Sequence, residues 1–494
     1  HFPPNDADPE ALAGFRTAAH RRLIFEEFFF LQLAFALSRR DEATAARAGR
    51  SLAVDDALRA RLRNVLPFPL TAAQRKALGE IGRDLLADRP MNRLLQGDVG
   101  CGKTVVALLA MLLVAENGLQ AAFMAPTEIL AEQHHRAFQR LLSGRGIPVG
   151  LLTASVTGGA RRQILNGLRG GGLRLVVGTH ALAEAEVAFQ ELRLVVIDEQ
   201  HRFGVMQRAR LRAKGSTPDV LVMTATPIPR SLALTVYGDL DISVIDALPP
   251  GRRPVTTLLR DDSARAKVYE FVRREVAAGR QAYIVYPIIE ESETLDLKAA
   301  TAMAESLRRE AFPGTGVGLL HGRLKADERD EVMGGFVSGR LPILVATTII
   351  EVGIDVPNAT LIVIEQAERF GLSQLHQLRG RVGRGTHPAY CVLMAGATAT
   401  EEARRRLEVM TATTDGFEVA RRDLEIRGPG QFFGTRQSGL ADLRIGDILR
   451  DRDILEEARA AAFDVAATAG ARPGPTLDHL RRRLRGRMGL SAIG

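Results

Sequence analysis

The sequence predicts an α/β protein: two parallel-sheet lobes in tandem, preceded by a helical connector and followed by a helical hairpin plus loop. Three observations carry that expectation. Apolar runs of strand length alternate with helix-length segments from Met91 to about Val244, and again from Val255 to Met394. A glycine-rich loop, Gly97-Asp98-Val99-Gly100-Cys101-Gly102-Lys103-Thr104, stands between the first of those strands and the helix after it. Asp246 to Pro254 (DALPPGRRP), rich in Pro, Gly and Arg and without periodicity, separates the two halves.

Taken in order, residues 1–64 read as the helical connector, with a Pro-rich entry, the Phe-rich run Leu23 to Leu37 and a helix over Asp55 to Arg63. That Phe-rich run contains Glu26 and Glu27 and is too short to span a bilayer, so it is expected to be a helix packed on a domain. Residues 65–245 form the first lobe. Thr71 caps its first helix, Met91 to Gln96 is its first strand, and VVALLAMLLVA after Thr104 reads as a buried helix. Further strands are expected at 121–125, 174–177, 192–197 and 219–224. Residues 246–400 form the second lobe, with strands at 255–259, 282–286, 317–320, 343–346, 361–364 and 389–394. Residues 401–494 begin with helical segments at 401–412 and 417–425 and continue into a Gly-rich loop.

Length and composition fit this plan. At about 100 to 200 residues per domain, 494 residues suit roughly three domains. A net charge of +8 favours polyanionic partners. Two cysteines, Cys101 and Cys391, support neither a disulfide framework nor a zinc site, and a cytoplasmic setting with no membrane association follows most simply. The chain opens at His1 rather than Met and shows no signal-peptide pattern, so a fragment of a longer protein is expected.

The glycine-rich loop is a G-x-x-x-x-G-K-T motif in the strand-loop-helix context that a nucleotide phosphate site needs. Gly97, Gly100 and Gly102 let backbone N–H groups curl around phosphate oxygens at a helix N-terminus. Lys103 reaches the outer phosphates and the Thr104 hydroxyl suits Mg2+. Lysine is scarce here, 6 of 66 basic residues, yet one stands where a compact charge fits between phosphates. Upstream, Phe68 and Gln74 suit adenine recognition, with ordinary helix capping the equally weighted alternative for Gln74.

Asp198-Glu199-Gln200-His201 ends the strand ELRLVVI at the edge where such sheets bind ligands. Asp198 fits a Mg2+ contact and Glu199 a base for the attacking water. Thr127, Thr179 and Thr226 sit at loop tips, where hydroxyls can grip a phosphate backbone or relay nucleotide state. In the second lobe, Gln377, Arg381 and Arg384 fall at i, i+4 and i+7 of a helix expected to run from a Ser373 cap to Gly385, which puts them on one face. Two permanently charged guanidiniums there suit charge building on a γ phosphate, against the alternative of a solvated basic helix. Gly353 and Asp355 are expected at the same cleft, the aspartate on ribose or on an arginine finger. Arg323 offers a phosphate contact.

So assembled, the motifs from Phe68 to Gly385 resemble those of superfamily-two helicases and translocases, in their order. Asp423 to Gly439 (DLEIRGPGQFFGTRQSG), after two helical segments, resembles the translocation motif of the RecG family and of the transcription-repair coupling factor, and GDVGCGKT and DEQHRFGV also look like RecG. The resemblance implies two RecA-like lobes, ATP and Mg2+ as cofactors, and translocation on branched or duplex DNA at stalled forks and Holliday junctions. His201, Arg427, Arg436 and Gln437 are implied in DNA contact or coupling. It further implies a bacterial, nucleoid-associated monomer with a contact to single-stranded-DNA-binding protein. RecG proteins begin with an OB-fold wedge domain, and this sequence starts where that domain would end, so fork recognition is not expected of these residues alone. Cys101 departs from the Ser of most relatives. The rival readings are an RNA helicase, disfavoured by DLEIRGPG, and a non-hydrolysing nucleotide-gated DNA-binding module, disfavoured by the complete set of catalytic residues.

Overall fold

The structure, a computed structural model, describes residues 8–44, 52–199, 211, 214–215, 217–225, 240–249, 253–287, 301–321, 324–347, 356–396, 399–427, 443–448 and 450–468. The chain begins with helices α1 (Pro9–Ala13), α2 (Ala18–Thr44) and α3 (Asp56–Arg63). A seven-stranded sheet follows, of β1 (Asn92–Gly97), β2 (Gln120–Met124), β3 (Val149–Leu152), β4 (Leu175–Gly178), β5 (Leu192–Asp198), β6 (Asp219–Thr224) and β7 (Asp241–Ile245). Their spatial order is β3-β4-β2-β5-β6-β1-β7 and every pairing is parallel.

Parallel strands buried on both faces read as largely apolar runs, as in β2 (QAAFM), β4 (LVVG) and β6 (DVLVMT). Along β5, Leu194 and Val196 enter one core cluster while Val195 and Ile197 enter the other, the two-residue alternation of a strand. Helices α4 (Ala72–Leu86), α5 (Lys103–Glu116), α6 (Glu128–Leu141) and α7 (Gly158–Arg169) connect the sheet. Of these, α5 is apolar almost all round, and Val106 to Ala115 are all buried. Asp219 is fully buried at the start of β6, where it accepts the Met91 amide at 2.6 Å and pairs with Arg193 at 3.1 Å.

The second sheet has six parallel strands: β8 (Thr256–Asp261), β9 (Gln281–Tyr286), β10 (Val317–Leu320), β11 (Ile343–Thr347), β12 (Ala359–Ile364) and β13 (Tyr390–Ala395), in the order β10-β11-β9-β12-β13-β8. Helices α8 (Arg265–Ala277), α9 (Ala326–Val337) and α10 (Leu372–Arg379) belong to it. The expected strands are all present, shifted by at most two residues at either end. Strand β7 ends at Ile245 and β8 begins at Thr256.

Helices α11 (Glu401–Ala412) and α12 (Gly416–Arg427) form the expected hairpin and pack on each other and on α10. The last described helix, α13 (Arg452–Thr468), packs along α2. Ala458, Ala462 and Ala466 recur every four residues on the buried face of α13, which lets it approach Leu33, Ala36 and Leu37 closely. Beside this pair, the Glu27 carboxylate accepts three successive backbone N–H groups, from Arg444 at 2.6 Å, Ile445 at 3.2 Å and Gly446 at 2.8 Å. A Cβ at Gly446 would stand 3.0 Å from the Phe28 ring, a tight fit. The Phe-rich run is therefore a packed helix, as its length and glutamates suggested. Among the described residues no helix is long and apolar enough to cross a membrane.

Candidate nucleotide site at the lobe interface

The glycine-rich loop joins β1 to α5. Gly100 and Gly102 have φ of 76° and 90°, a left-handed conformation that side chains disfavour, and Gly102 is the N-cap of α5. Gly97 is fixed by space instead, since a Cβ there would lie 2.5 Å from Cys101 Sγ and 2.8 Å from the Ile245 carbonyl oxygen. The glycines at these three positions thus each have a steric reason. Lys103 Nζ donates to the carbonyls of Gly97 at 2.8 Å and Asp98 at 2.9 Å, so its charge lies inside the loop's curve. Thr104 is the second residue of α5.

Gln74 makes the contacts that its capping reading expects. Its Oε1 accepts from the Thr71 N–H at 2.8 Å while the Thr71 hydroxyl accepts from the Gln74 N–H at 3.1 Å, a reciprocal capping box. The other amide atom, Nε2, donates to the Cys101 carbonyl at 2.8 Å. Both ends of the buried amide thus brace the loop rather than face outward. Phe68 stays 47% exposed and available to a flat ligand.

Register sets the carboxylates against this loop. Leu95 pairs with Met223, and Met223 pairs with Asp198. Two strand spacings of ~4.8 Å put the end of β5 about 10 Å from β1 at the same sheet edge. Asp198 Oδ2 lies 3.2 Å from His134 Nε2 of α6, a ring packed on Phe123. Glu199 takes φ 51°, strained for a non-glycine residue. Its amide donates to the Met223 carbonyl at 3.0 Å, and its Oε1 accepts from the Ala225 N–H at 3.2 Å, linking β5 to the end of β6. A carboxylate and a hydroxyl at one edge are the hard oxygen donors that suit Mg2+, so Asp198 and Thr104 fit that ion chemically.

Two other expected residues are engaged locally. Thr127 caps α6, accepting from Leu130 at 3.4 Å, and Thr179 caps a short 3-10 turn, accepting from Ala181 at 3.5 Å. Thr179 is only 1% exposed, so the loop-tip reading fails for its hydroxyl, whereas the adjacent His180 is exposed.

The second lobe meets the loop directly. His376 Nε2 of α10 lies 2.5 Å from Asp98 Oδ1, a Cβ on Gly380 would stand 2.8 Å from the Val99 side chain, and Ile129 of α6 packs on the second lobe's core. The helix carrying these contacts is shorter than expected: it starts after Gly371, not Ser373, and stops at Arg379. Gly380 ends it and Gly383, with φ 78°, turns the chain. Gln377 is therefore helical while Arg381 and Arg384 lie beyond the helix, and the shared-face argument does not hold. Both arginines still act together electrostatically: burial pushes the Tyr283 phenol up to about 12 against the opposing pull of their two charges. Arg384 Nε donates to the Gly380 carbonyl at 3.1 Å.

Arg379, almost fully buried, donates to the carbonyls of Met410 at 2.9 Å, Thr413 at 2.7 Å and Thr414 at 3.1 Å, and to His376 Nδ1 at 2.9 Å. Burial holds its guanidinium below the usual range. Burial also pushes the Asp98 carboxyl up, but hydrogen bonds from His376 and Val99, with Lys103 nearby, outweigh it and leave it below the carboxylate norm. Sequence reading missed Asp98, His134, His376 and Arg379 as contributors; none stands in a local pattern that announces its partner. His201, Thr226, Arg323, Gly353, Asp355, Arg436 and Gln437 lie outside the described residues, as does the Arg427 side chain.

Two all-parallel lobes, a phosphate loop on one, and an arginine-bearing turn on the other held against it give the chain the architecture shared by two-lobed helicases. Residues 71–235 match the DEAD/DEAH box helicase family, 264–386 the helicase conserved C-terminal domain, and 413–488 the C-terminal part of domain 3 of the ATP-dependent DNA helicase RecG. The chain belongs to the RecG family. It is 48% identical over 459 residues to the ATP-dependent DNA helicase RecG of Streptococcus pneumoniae, covering 93% of this chain and 68% of that one. It is 52% identical over 462 residues to the Synechocystis protein of the same name, covering 94% of this chain and 54% of that one. A solved RecG bound to a three-way DNA junction superimposes with a TM-score of 0.72 at 49% identity, over 88% of this chain and 57% of that one. Yeast Dbp5 bound to RNA and ADP BeF3 shares the fold alone, at TM-score 0.52 and 19% identity, over 84% of this chain and all of that one. The chain spans just over half the length of the first curated relatives it matches, 54% and 56% for the Synechocystis and Thermotoga maritima proteins.

Proposed function

We propose that the chain is the motor of an ATP-driven DNA translocase that acts on branched DNA, with the lobes cycling on ATP. The observation that supports the reading is the direct seating of the Gly380 turn on the phosphate loop, since Arg381 and Arg384 follow that turn in the chain. Lys103, once it leaves the Gly97 and Asp98 carbonyls, offers a compact charge to the outer phosphates. Glu199 orients and deprotonates the attacking water from its strained position, and Arg381 and Arg384 stabilise charge on the transferred group. Mg2+ held by Thr104 and Asp198 would neutralise phosphate charge.

Branched DNA as the partner is supported by the junction-bound relative and by the match of 413–488 to a RecG-specific domain. The domain division 1–64, 65–245, 246–400 and 401–494, action as a monomer, a contact with single-stranded-DNA-binding protein and cytoplasmic, nucleoid-associated residence belong to the same proposal. The test is ATP hydrolysis measured with no nucleic acid, single-stranded DNA, duplex, forked DNA and RNA. Stimulation by DNA and not by RNA is expected; equal stimulation by RNA, or no hydrolysis in any arm, overturns the reading.

A further inference from the structure

We infer that Asp98 and His376 form a clasp between the lobes, in which a neutral imidazole of fixed tautomer reads the phosphate loop and sets where the second lobe's arginines come to rest. The argument begins with donors and acceptors. A guanidinium can only donate, so the contact of Arg379 with His376 Nδ1 at 2.9 Å makes that nitrogen an acceptor. The ring proton is then on Nε2, 2.5 Å from Asp98 Oδ1, and is donated across the lobe boundary. Arg379 is itself held by three carbonyls, one in the last turn of α11 and two in the turn before α12, so the ring's orientation is fixed from behind. His376 is 4% exposed, and solvent does not compete for the bond.

On the other side, Asp98 is the second residue of the phosphate loop. A carboxylate there opposes an incoming polyphosphate unless turned away and satisfied. Here Oδ1 is satisfied twice, by His376 and by the Val99 amide at 2.5 Å. The Asp98 carbonyl is also one of the two that hold Lys103 Nζ. Any shift of Lys103 toward phosphate releases the Asp98 backbone, and the change reaches His376 through one residue. His376 and Gly380 lie one helical turn apart, so the clasp and the Val99–Gly380 contact fix the segment leading into Arg381 at two points. His376 is therefore a positioning residue for Arg381 and Arg384.

The kinetic arm of the test rests on the ATPase reading; a distance arm does not. His376→Gln keeps an N–H donor near Nε2, and His376→Asn keeps an acceptor near Nδ1 for Arg379 but cannot reach Asp98. With DNA present, His376→Asn and His376→Ala should lower kcat at least tenfold with KM for ATP within threefold, while His376→Gln stays within threefold of wild type in both. Fluorophores at Arg136→Cys on α6 and Arg405→Cys on α11, whose side chains are 78% and 71% exposed, report the inter-lobe distance by energy transfer. That distance should broaden in the Asn and Ala variants and not in Gln. Wild-type kcat and distance in His376→Ala, or a Gln variant as impaired as Ala in both, would overturn the clasp. Absence of hydrolysis in wild type would remove the proposed function while the distance measurement still decides the clasp.

Discussion

Replacing Gly102 by Ala tests how the phosphate loop is held. The residue sits at φ 90°, where a Cβ costs about 1–2 kcal/mol. That Cβ would also stand 2.3 Å from Gln74 Nε2, so the amide must leave the Cys101 carbonyl and forfeit a hydrogen bond. Such a bond contributes about 0.5–1.5 kcal/mol. The sum, about 1.5–3.5 kcal/mol, corresponds to a roughly 10- to 300-fold loss of nucleotide affinity if the displaced loop must be restored for binding. Equilibrium titration with a fluorescent ATP analogue measures it, with urea unfolding in parallel to separate a local from a global effect. Gln74→Ala alone should weaken binding more mildly. The double variant should lose about 1 kcal/mol less than the two single losses added, because the displaced amide is no longer there. Full additivity, or an affinity for Gly102→Ala within threefold of wild type, would refute the steric reasoning.

Other outcomes follow from contacts elsewhere. Asp219→Ala strands Arg193 and the Met91 amide in the core and should destabilise the fold by about 3–5 kcal/mol in urea unfolding, the usual result of breaking a buried pair. Glu199→Gln should bind an ATP analogue within threefold of wild type and lose at least about 100-fold in turnover, the contribution typical of a general base; a stopped-flow phosphate assay decides it. Arg384→Ala should lower turnover about 1,000-fold with little change in nucleotide affinity, and equal losses in both would mark a structural residue. Burial pushes the Cys391 thiol up to about 12, so it should stay unmodified by iodoacetamide at pH 8 in the native protein and react once urea is added, as mass spectrometry can follow.

What could be read from the sequence follows a physical division. Both sheets were legible because parallel strands buried on two faces leave largely apolar runs, such as LVVI at 194–197. The phosphate loop was legible because its chemistry is local, glycines and a lysine at fixed spacing on one turn of chain. Edge strands β3 and β7 of the first sheet were not expected, although β10, with the same VGLL sequence as β3, was. Extending α10 to Gly385 failed because spacing arguments assume an unbroken helix, whereas Gly380 ends it and Gly383 adopts a left-handed turn. Gln74 was ambiguous because an amide can cap or read a base, and its capping contacts with Thr71 show only in the structure. His376 and Asp98 are 278 residues apart, and neither neighbourhood encodes the other.

The joining of α2 to the far end of the chain has a consequence during synthesis. Glu27 waits 417 residues for the Arg444 amide, and Phe28 meets Leu455 and Ala458 only later still. At about 5–20 residues per second, the Phe-rich face of α2 stays without its partner for roughly 20 to 80 s after leaving the ribosome. Both sheets lie between these helices and can fold in that interval, since neither needs α2 to complete its strand order. The nascent chain thus carries a sticky segment behind which the two sheets can form. Chaperone occupancy of that segment should end when α13 emerges.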